Sequence, residues 1–554
     1  MKEIRTNSSF WSTIVFLMAF CSLNVQFMIG SKMSYITEEG LFIYPICLGI
    51  FLMAMGLGAS RISSTNITDS NKLLKRLIIV ELIVCALGFL SITIIETVRS
   101  NYYLRINAIY TGCAFSFLLG YFTGKELPLV IRMLDSQKQS ASTIRMLFFY
   151  DYLASLFSSI IFTLYMKPYF GLYKTSIINA NLNLIIVFLL VFCSFRNLNQ
   201  TFRKTTNALI IGILICVTAT LTISYSSKLD DYFLEKIVNK RMHDLFNLKL
   251  VKRANTFYQE ISLFVERNDR KDSTDDYEKI LKNPEKYHLF GFLDSGLQFV
   301  APIGVKEDPY HFMLFDPIMQ IYKPKKILIL GGGDGLPARQ VQLYDDIIED
   351  IVMVDLDPEW IEFTRTDKLM RYNTQNALDN PKIRFYGSDA FKWIIKTDEK
   401  FDAIFVDFPG TNNLASLRIG TIQFMNDLKR ILNPEGVIIS QDDVPLNKYF
   451  MPNIFSTAKA AGLSMLFGER VKSNIVNQTV SQFMLFQNDE LKKDYLYKFN
   501  NQYTANKTNK KRLDRYGYIH YKRDPSKDGE VISFYDPIVL HYTINDIIEN
   551  LTGY

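Results

Sequence analysis

What most constrains this chain is that its long apolar runs are confined to the first 225 residues. Runs near 11–30, 41–59, 74–95, 106–124, 146–165, 177–195 and 207–225 could each cross a bilayer, which takes roughly 17–25 residues. They predict an N-terminal α-helical multi-span membrane domain of about seven helices over 1–225, in a multi-pass protein of the cell membrane. The first run follows Lys2 and Arg5 and lacks a small-residue cleavage pattern, so it reads as a signal anchor. The remaining 300 or so residues contain no further run of that kind. A purely soluble enzyme and a purely embedded protein are both excluded.

The whole-chain averages, 48% hydrophobic residues and a net charge of +6, describe neither part. All six cysteines, Cys21, Cys47, Cys85, Cys113, Cys193 and Cys216, precede residue 226. The C-terminal part therefore has no disulfide framework and no cysteine-ligated zinc. Only five histidines are present, so no metal centre is expected. Lys and Arg number thirteen at the N-terminus and in the second, fourth and sixth loops, against five in the alternate loops. That bias places the N-terminus in the cytoplasm, and seven spans would then place the C-terminal part outside. Asp151 within the fifth span and Lys125-Glu126 at the end of the fourth are costly in hydrocarbon and mark a pathway or an interhelical contact. Gly49, Gly56 and Gly58 in the second span suit close helix packing.

A charged, helix-permissive connector covers 226–255. The runs EISLFVE and HLFGFLDSGLQFV, with Gly and Asp between, then read as hairpin strands of a small β domain over 256–320. Strands KKILIL, DIVMVDL, IRFYG, FDAIFVDF and GVIIS alternate with helical segments. This predicts a C-terminal α/β Rossmann-like domain of methyltransferase type over 321–495, followed by an extension over 496–554. The basic run 506–523 carries interleaved aromatics but no RNA-binding motif, so nucleic acid is not an expected partner.

The first strand of that domain runs into Gly331-Gly332-Gly333-Asp334-Gly335 and then a helix. Glycines at such a junction let the backbone approach a ligand at the helix N-terminus. The second strand ends at Asp355, at the spacing of an acid that bonds a ribose diol. The third leads to Gly387-Ser388-Asp389-Ala390, where an acid can accept from an adenine amino group, and the fourth ends at Asp407. Asp334 would repel a pyrophosphate, whereas it would stabilise a sulfonium nucleoside carrying an ammonium group. The four acids gather at the carboxyl edge of one sheet, where open α/β sheets bind ligands.

At these residues the chain resembles the polyamine aminopropyltransferase (spermidine synthase) family, and specifically its bacterial branch with a multi-pass membrane region. FLDSGLQF (292–299), PYHFMLFDP (309–317), ILILGGGDGLPARQV (327–341), VDLDPEW (354–360) and FDAIFVDFPGTNN (401–413) carry the resemblance, with YDYLASLF and KPYFGL in the membrane part. It implies transfer of an aminopropyl group from decarboxylated S-adenosylmethionine, a co-substrate, to a di- or polyamine such as putrescine, with methylthioadenosine released and no separate cofactor. It implies Gln259 and Asp355 at the nucleoside, Asp389 at its base, Asp334 and His311 at the amine with Tyr310 beside them, and Asp407 as proton acceptor. Gly331, Gly333 and Ala390 complete the donor site, and a homo-oligomer is compatible with the family. A cytosolic donor favours a cytoplasmic catalytic domain, against the charge bias.

The chain departs from the family on the acceptor side. A second acid three residues after Asp407 is replaced by Gly410, the YHE triplet reads Tyr310-His311-Phe312, and SQDDVPL brings in Asp442 and Asp443. An altered acceptor is therefore open, and so are two alternatives. One is an S-adenosylmethionine-dependent methyltransferase, whose methionine carboxylate Asp334 would oppose. The other is a non-catalytic membrane sensor or transporter that binds a nucleotide or polyamine.

Overall fold

A computed structural model describes residues 8–37, 40–63, 69–99, 107–135, 141–196, 228, 230–240, 242, 246–269, 276–294, 296–408, 418, 420–442, 450–471, 480–516 and 518–522. Two units are formed, one by Met1–Leu250 with Phe257–Gln259 and the other by Val251–Thr256 with Glu260–Tyr554.

In the first unit the apolar runs become α1 (Ser8–Thr37), α2 (Gly40–Ser63), α3 (Ser70–Arg99), α4 (Asn107–Thr123), α5 (Glu126–Asp135), α6 (Ala141–Ile161) and α7 (Gly171–Arg196). Four stretches, Ser9–Ile36, Ile43–Ile62, Lys72–Arg99 and Ser142–Phe192, are long and apolar enough to cross a membrane. The last contains two of the seven predicted spans, α6 and α7, which are joined by a π-helical segment Phe162–Phe170 and divided at Gly171 (φ 69°). The fourth predicted span is the 17-residue α4, and the seventh, 207–225, lies outside the described residues.

Small residues do let these helices approach, but not all of those expected. A Cβ on Gly58 would sit 2.1 Å from the Tyr121 carbonyl oxygen, and one on Gly124 would sit 2.1 Å from that of Met55, so α2 and the end of α4 meet backbone to backbone. Gly49 and Gly56 face open space instead. The connector is helical over 230–240, but its end forms strand β1 (Lys249–Asn255) where a helix-permissive linker is predicted. Lys249, Lys252 and Arg253 of β1 remain at least partly exposed, as an edge strand allows.

In the second unit, β2 (Glu260–Arg267), β3 (Tyr287–Leu293) and β4 (Gly296–Pro302) extend β1 into a four-stranded sheet. Ile261, Leu263 and Leu289 from this sheet pack with Leu336 and Trp360 of the larger domain. The larger sheet contains β5 (Lys326–Gly331), β6 (Asp350–Asp355), β7 (Ile383–Gly387), β8 (Phe401–Asp407), β9 (Leu432–Asp442), β10 (Ser464–Val471), β11 (Val480–Phe486) and β12 (Tyr518–Lys522). Its order is β12-β10-β11-β9-β8-β5-β6-β7. The five predicted strands are the parallel ones, β5 to β9, while β10, β11 and β12 pair antiparallel.

Alternation along β5 explains the double burial of this sheet. Ile327 and Ile329 enter one core cluster, Leu328 and Leu330 the other, and all four are fully buried. Strands covered by helices on both faces are apolar throughout for this reason. The chain leaves β5 toward β6 on one side and returns at β8 on the other, so the topological switch point lies between β5 and β8. Open α/β sheets bind ligands at such a point.

Candidate active site

Parallel pairing places Gly331 opposite Asp407 and Asp355 opposite Gly387, so the ends of four strands converge. Gly331 (φ 91°) turns the chain sharply there, and a Cβ on it would sit 2.1 Å from the Asp407 carbonyl oxygen. Gly333 cannot carry a side chain either, because its Cβ would fall 2.6 Å from the Trp360 ring and 2.9 Å from Asp355 Oδ2. Its N–H donates to that same carboxylate at 2.9 Å, and Thr364 Oγ1 donates to its carbonyl at 3.0 Å. The loop is thus fixed from both sides.

Asp355 accepts a second bond on Oδ1 from the Asp357 N–H, 2.9 Å away. Burial raises its pKa, and these two backbone donors partly offset the effect. Asp357 caps the helix Pro358–Thr366 and accepts at 2.6 Å from Thr256 Oγ1. Asp389 caps the helix Ala390–Lys396 by accepting from the Phe391 N–H at 2.9 Å, with Ala390 buried beside it. Gln259 lies half-buried in the connection between β1 and β2.

On the other side of the switch point the helix Pro309–Ile321 presents Tyr310 and His311. The Tyr310 hydroxyl donates to Asp407 Oδ1 at 2.8 Å, and His311 Nε2 lies 3.7 Å from Asp407 Oδ2. Behind His311 stands a buried charged group. Asp308 caps this helix, meets His311 Nδ1 at 2.9 Å and accepts from Arg339 at 2.5 Å. Arg339 in turn donates to the Asn373 carbonyl at 3.0 Å. Burial works against a charged His311, but Asp308 and then Asp407 outweigh it and push its pKa up to about 10. Asp308 feels the same penalty, overcome by His311 and Arg339, and is held well below the usual carboxylate range. His311 is therefore an imidazolium at neutral pH.

Asp334 accepts from the Leu336 N–H at 2.9 Å at the start of the helix Leu336–Val341. Its carboxyl is enclosed, and burial pushes it up to about 7, with His311 opposing the shift and Asp407 adding to it. The structure therefore gathers Tyr310, His311, Asp334 and Asp407 at the switch point and sets Asp355 under the glycine loop.

Asp308 and Arg339 are additions that the sequence patterns miss. The signal was a helix cap, Asp308-Pro309, three residues before His311. Phe312, which stands where the family carries an acid, is fully buried in the core, with the Arg512 guanidinium 4.4 Å from its ring centre. Arg512 pairs with Glu307 and, at 2.7 Å, with Asp316. Gly410 and Asp443 lie outside the described residues, and Asp442 ends β9.

Residues 307–487 match the family model for the spermine/spermidine synthase domain. The chain is 28% identical over 453 residues to a polyamine aminopropyltransferase of Oceanobacillus iheyensis, covering 80% of this chain and 79% of that protein. It is 27% identical over 450 residues to polyamine aminopropyltransferase 2 of Aquifex aeolicus, covering 81% and 82%. Both alignments are longer than the 304 residues that follow Leu250, so the similarity reaches into the helical unit. Among solved structures, spermidine synthase from Thermotoga maritima aligns at TM-score 0.34 and 16% identity, over 55% of this chain and 87% of that one.

Proposed function

We propose, from the spermine/spermidine synthase domain match over residues 307–487 and the similarity to polyamine aminopropyltransferases, that this chain is an aminopropyltransferase of that family and that Asp407 is the proton acceptor of an aminopropyl transfer from decarboxylated S-adenosylmethionine to putrescine or another di/polyamine. The observation that carries this role is the position of Asp407 at the switch point, oriented by the Tyr310 hydroxyl and facing the His311 imidazolium.

In the step itself the amine nitrogen attacks the methylene carbon bound to the sulfonium. A C–N bond forms and the C–S bond breaks with its electron pair going to sulfur. Neutral methylthioadenosine leaves, and the proton lost by the nitrogen passes to an Asp407 carboxylate oxygen. Because the leaving group is already good, alignment and removal of one proton are what the protein must supply. Asp355 and Asp389 hold the ribose and adenine, and the Gly331–Gly333 backbone leaves room for the nucleoside. Asp334 receives the ammonium groups and disfavours the carboxylate of intact S-adenosylmethionine, which favours transfer over methylation.

The helical unit anchors this enzyme in the cell membrane, with the catalytic unit on the cytoplasmic side where the donor is made. Protease access to a C-terminal tag in intact cells tests that side, and digestion would place it outside. For the chemistry, the purified full-length protein is incubated with decarboxylated S-adenosylmethionine and a panel of amines. Methylthioadenosine release that depends on putrescine or a longer amine is expected. Nucleoside binding without release would support a sensor, and transfer from intact S-adenosylmethionine would support a methyltransferase.

A further inference from the structure

The helix Pro309–Ile321 carries two of the side chains that meet Asp407, and it does not hold itself in place. Pro317 stands inside it. A proline there deprives the Met313 carbonyl of its intrahelical donor and weakens the helix at that point. The half before the proline is held behind His311 by the Asp308–Arg339 pair, but a segment fixed at one point can still pivot about it. The Tyr310–Asp407 bond tolerates little pivoting, because an O–H···O contact at 2.8 Å is lost within roughly 1 Å of displacement.

A second set of anchors comes from the C-terminal extension. Asp316, next to the proline and fully buried, accepts from the Tyr344 hydroxyl and, at 2.5 Å, from that of Tyr503. Burial, and then Asp316 itself, pushes both phenols well up, so they stay donors at physiological pH. Arg512 pairs with Asp316 at 2.7 Å and reaches back to Glu307, ahead of the cap Asp308. Its guanidinium lies over the Phe312 ring between those two acids, an attraction that the aromatic face supplies. Beyond the proline, buried Asn509 exchanges two amide bonds with Gln320, at 2.8 and 3.1 Å. Tyr503, Asn509 and Arg512 all follow the stretch 307–487 that matches the synthase domain.

We propose that the extension clamps the active-site helix on both sides of its proline, and that Arg512 is a positioning residue for the transfer. By joining Glu307 to Asp316 across Phe312, it fixes the half of the helix that sets Tyr310 and His311 against Asp407. The effect is selective. Tyr310, His311 and Asp407 face the acceptor amine, whereas the donor nucleoside belongs to Asp355 and Asp389 at other strand ends. Releasing the clamp therefore loosens acceptor alignment and leaves donor binding intact. This assignment rests on the transferase reading above.

Arg512→Met keeps the apolar stem and removes the guanidinium. Methylthioadenosine release by the full-length protein in nanodiscs is followed while putrescine and decarboxylated S-adenosylmethionine are varied in turn. Rates are normalised to the sites that bind methylthioadenosine in calorimetry, so a variant that is only less stable loses sites and rate in proportion and shows no change per site. Misplaced reacting groups cost up to about 10²-fold, and Arg512→Met is expected to raise the putrescine KM or lower kcat per site by about tenfold. The donor KM and the methylthioadenosine affinity should stay near the wild-type values, and Arg512→Lys should recover part of the loss. Glu307→Ala, at a partly exposed position that leaves the buried Asp316 pair intact, should act in the same direction more weakly and remains readable if Arg512→Met does not fold. Unchanged parameters per site in these variants, or an equal loss on the donor side, overturn the proposal. No release from the wild type would instead sink the transferase reading. The clamp is then judged by amide exchange, which Arg512→Met should speed over Phe312–Asp316 and leave unchanged in the Gly331–Asp334 loop; wild-type exchange over Phe312–Asp316 would overturn it.

Discussion

In the C-terminal unit the acids of the site meet donors from their own chain: Asp308 meets His311 and Arg339, Asp355 two backbone N–H groups, and Asp407 the Tyr310 hydroxyl. In the helical unit Glu81 and Glu126 are buried beside one another and Ser22, with no cation paired to either among the described residues. A partnered carboxylate is oriented before any substrate arrives, which is what alignment chemistry requires. A buried carboxyl with no cation beside it is accommodated instead by holding or sharing a proton. The same residue types are thus pre-oriented by cationic, hydroxyl and backbone donors in one unit and gathered beside one another in the other.

The sharpest way to break this contrast is Asp407→Asn. Loss of a proton acceptor typically costs about 10²–10⁴-fold in turnover, and methylthioadenosine binding, measured by calorimetry, should stay near the wild-type value. Equal losses of binding and turnover would show that Asp407 serves the nucleoside instead. Next in size is Asp308→Asn, which leaves Arg339 and His311 facing each other without their anion. Breaking a buried charge group in this way costs about 3–5 kcal/mol, to be read as a lower denaturation midpoint of the C-terminal unit. An unchanged midpoint would mean that the group is not structural.

A smaller effect concerns Asp334, whose carboxyl is pushed up to about 7 by burial. Below that pH it is neutral and above it anionic, so affinity for a cationic amine should rise several-fold as pH climbs through 7. In Asp334→Asn that rise should flatten, in binding isotherms taken with the donor product present. The sign for stability is the reverse. A carboxyl raised above its unfolded value of about 4 makes the ligand-free domain less stable as pH rises toward 7. The smallest effect is expected from Glu81→Gln, a shift in melting temperature that is neutral or upward. A clear drop would show that Glu81 is paired with a cation and would erase the difference between the two units.

Much of the catalytic unit is legible in the sequence because its rules are local and periodic. Ile327 to Leu330 must be a doubly buried strand, glycines follow it, and Asp334, Asp355, Asp389 and Asp407 stand at successive strand ends. Asp308 and Arg339 are hidden for the opposite reason. One looks like an ordinary helix cap and the other like a surface arginine of a short helix, until the fold brings them 2.5 Å apart. The strand β1 was obscured by charges that an edge position tolerates. In the helical unit, apolar runs identify helices but not their facing sides. Glycine alone therefore could not distinguish Gly58, pressed on Tyr121, from Gly56, which faces open space.

The pairing of Gly331 with Asp407 has a consequence for how this site can vary. Strand alternation acts like a reading frame: a single-residue deletion within β8 would bring a neighbour to the position of Asp407 and turn every following side chain to the opposite face. Val406, now fixed in the core, shows what that face demands, since a carboxylate there would meet only hydrocarbon. Insertions that leave β8 in phase are harmless to the chemistry, while one lost residue inside it silences the site without touching any catalytic side chain.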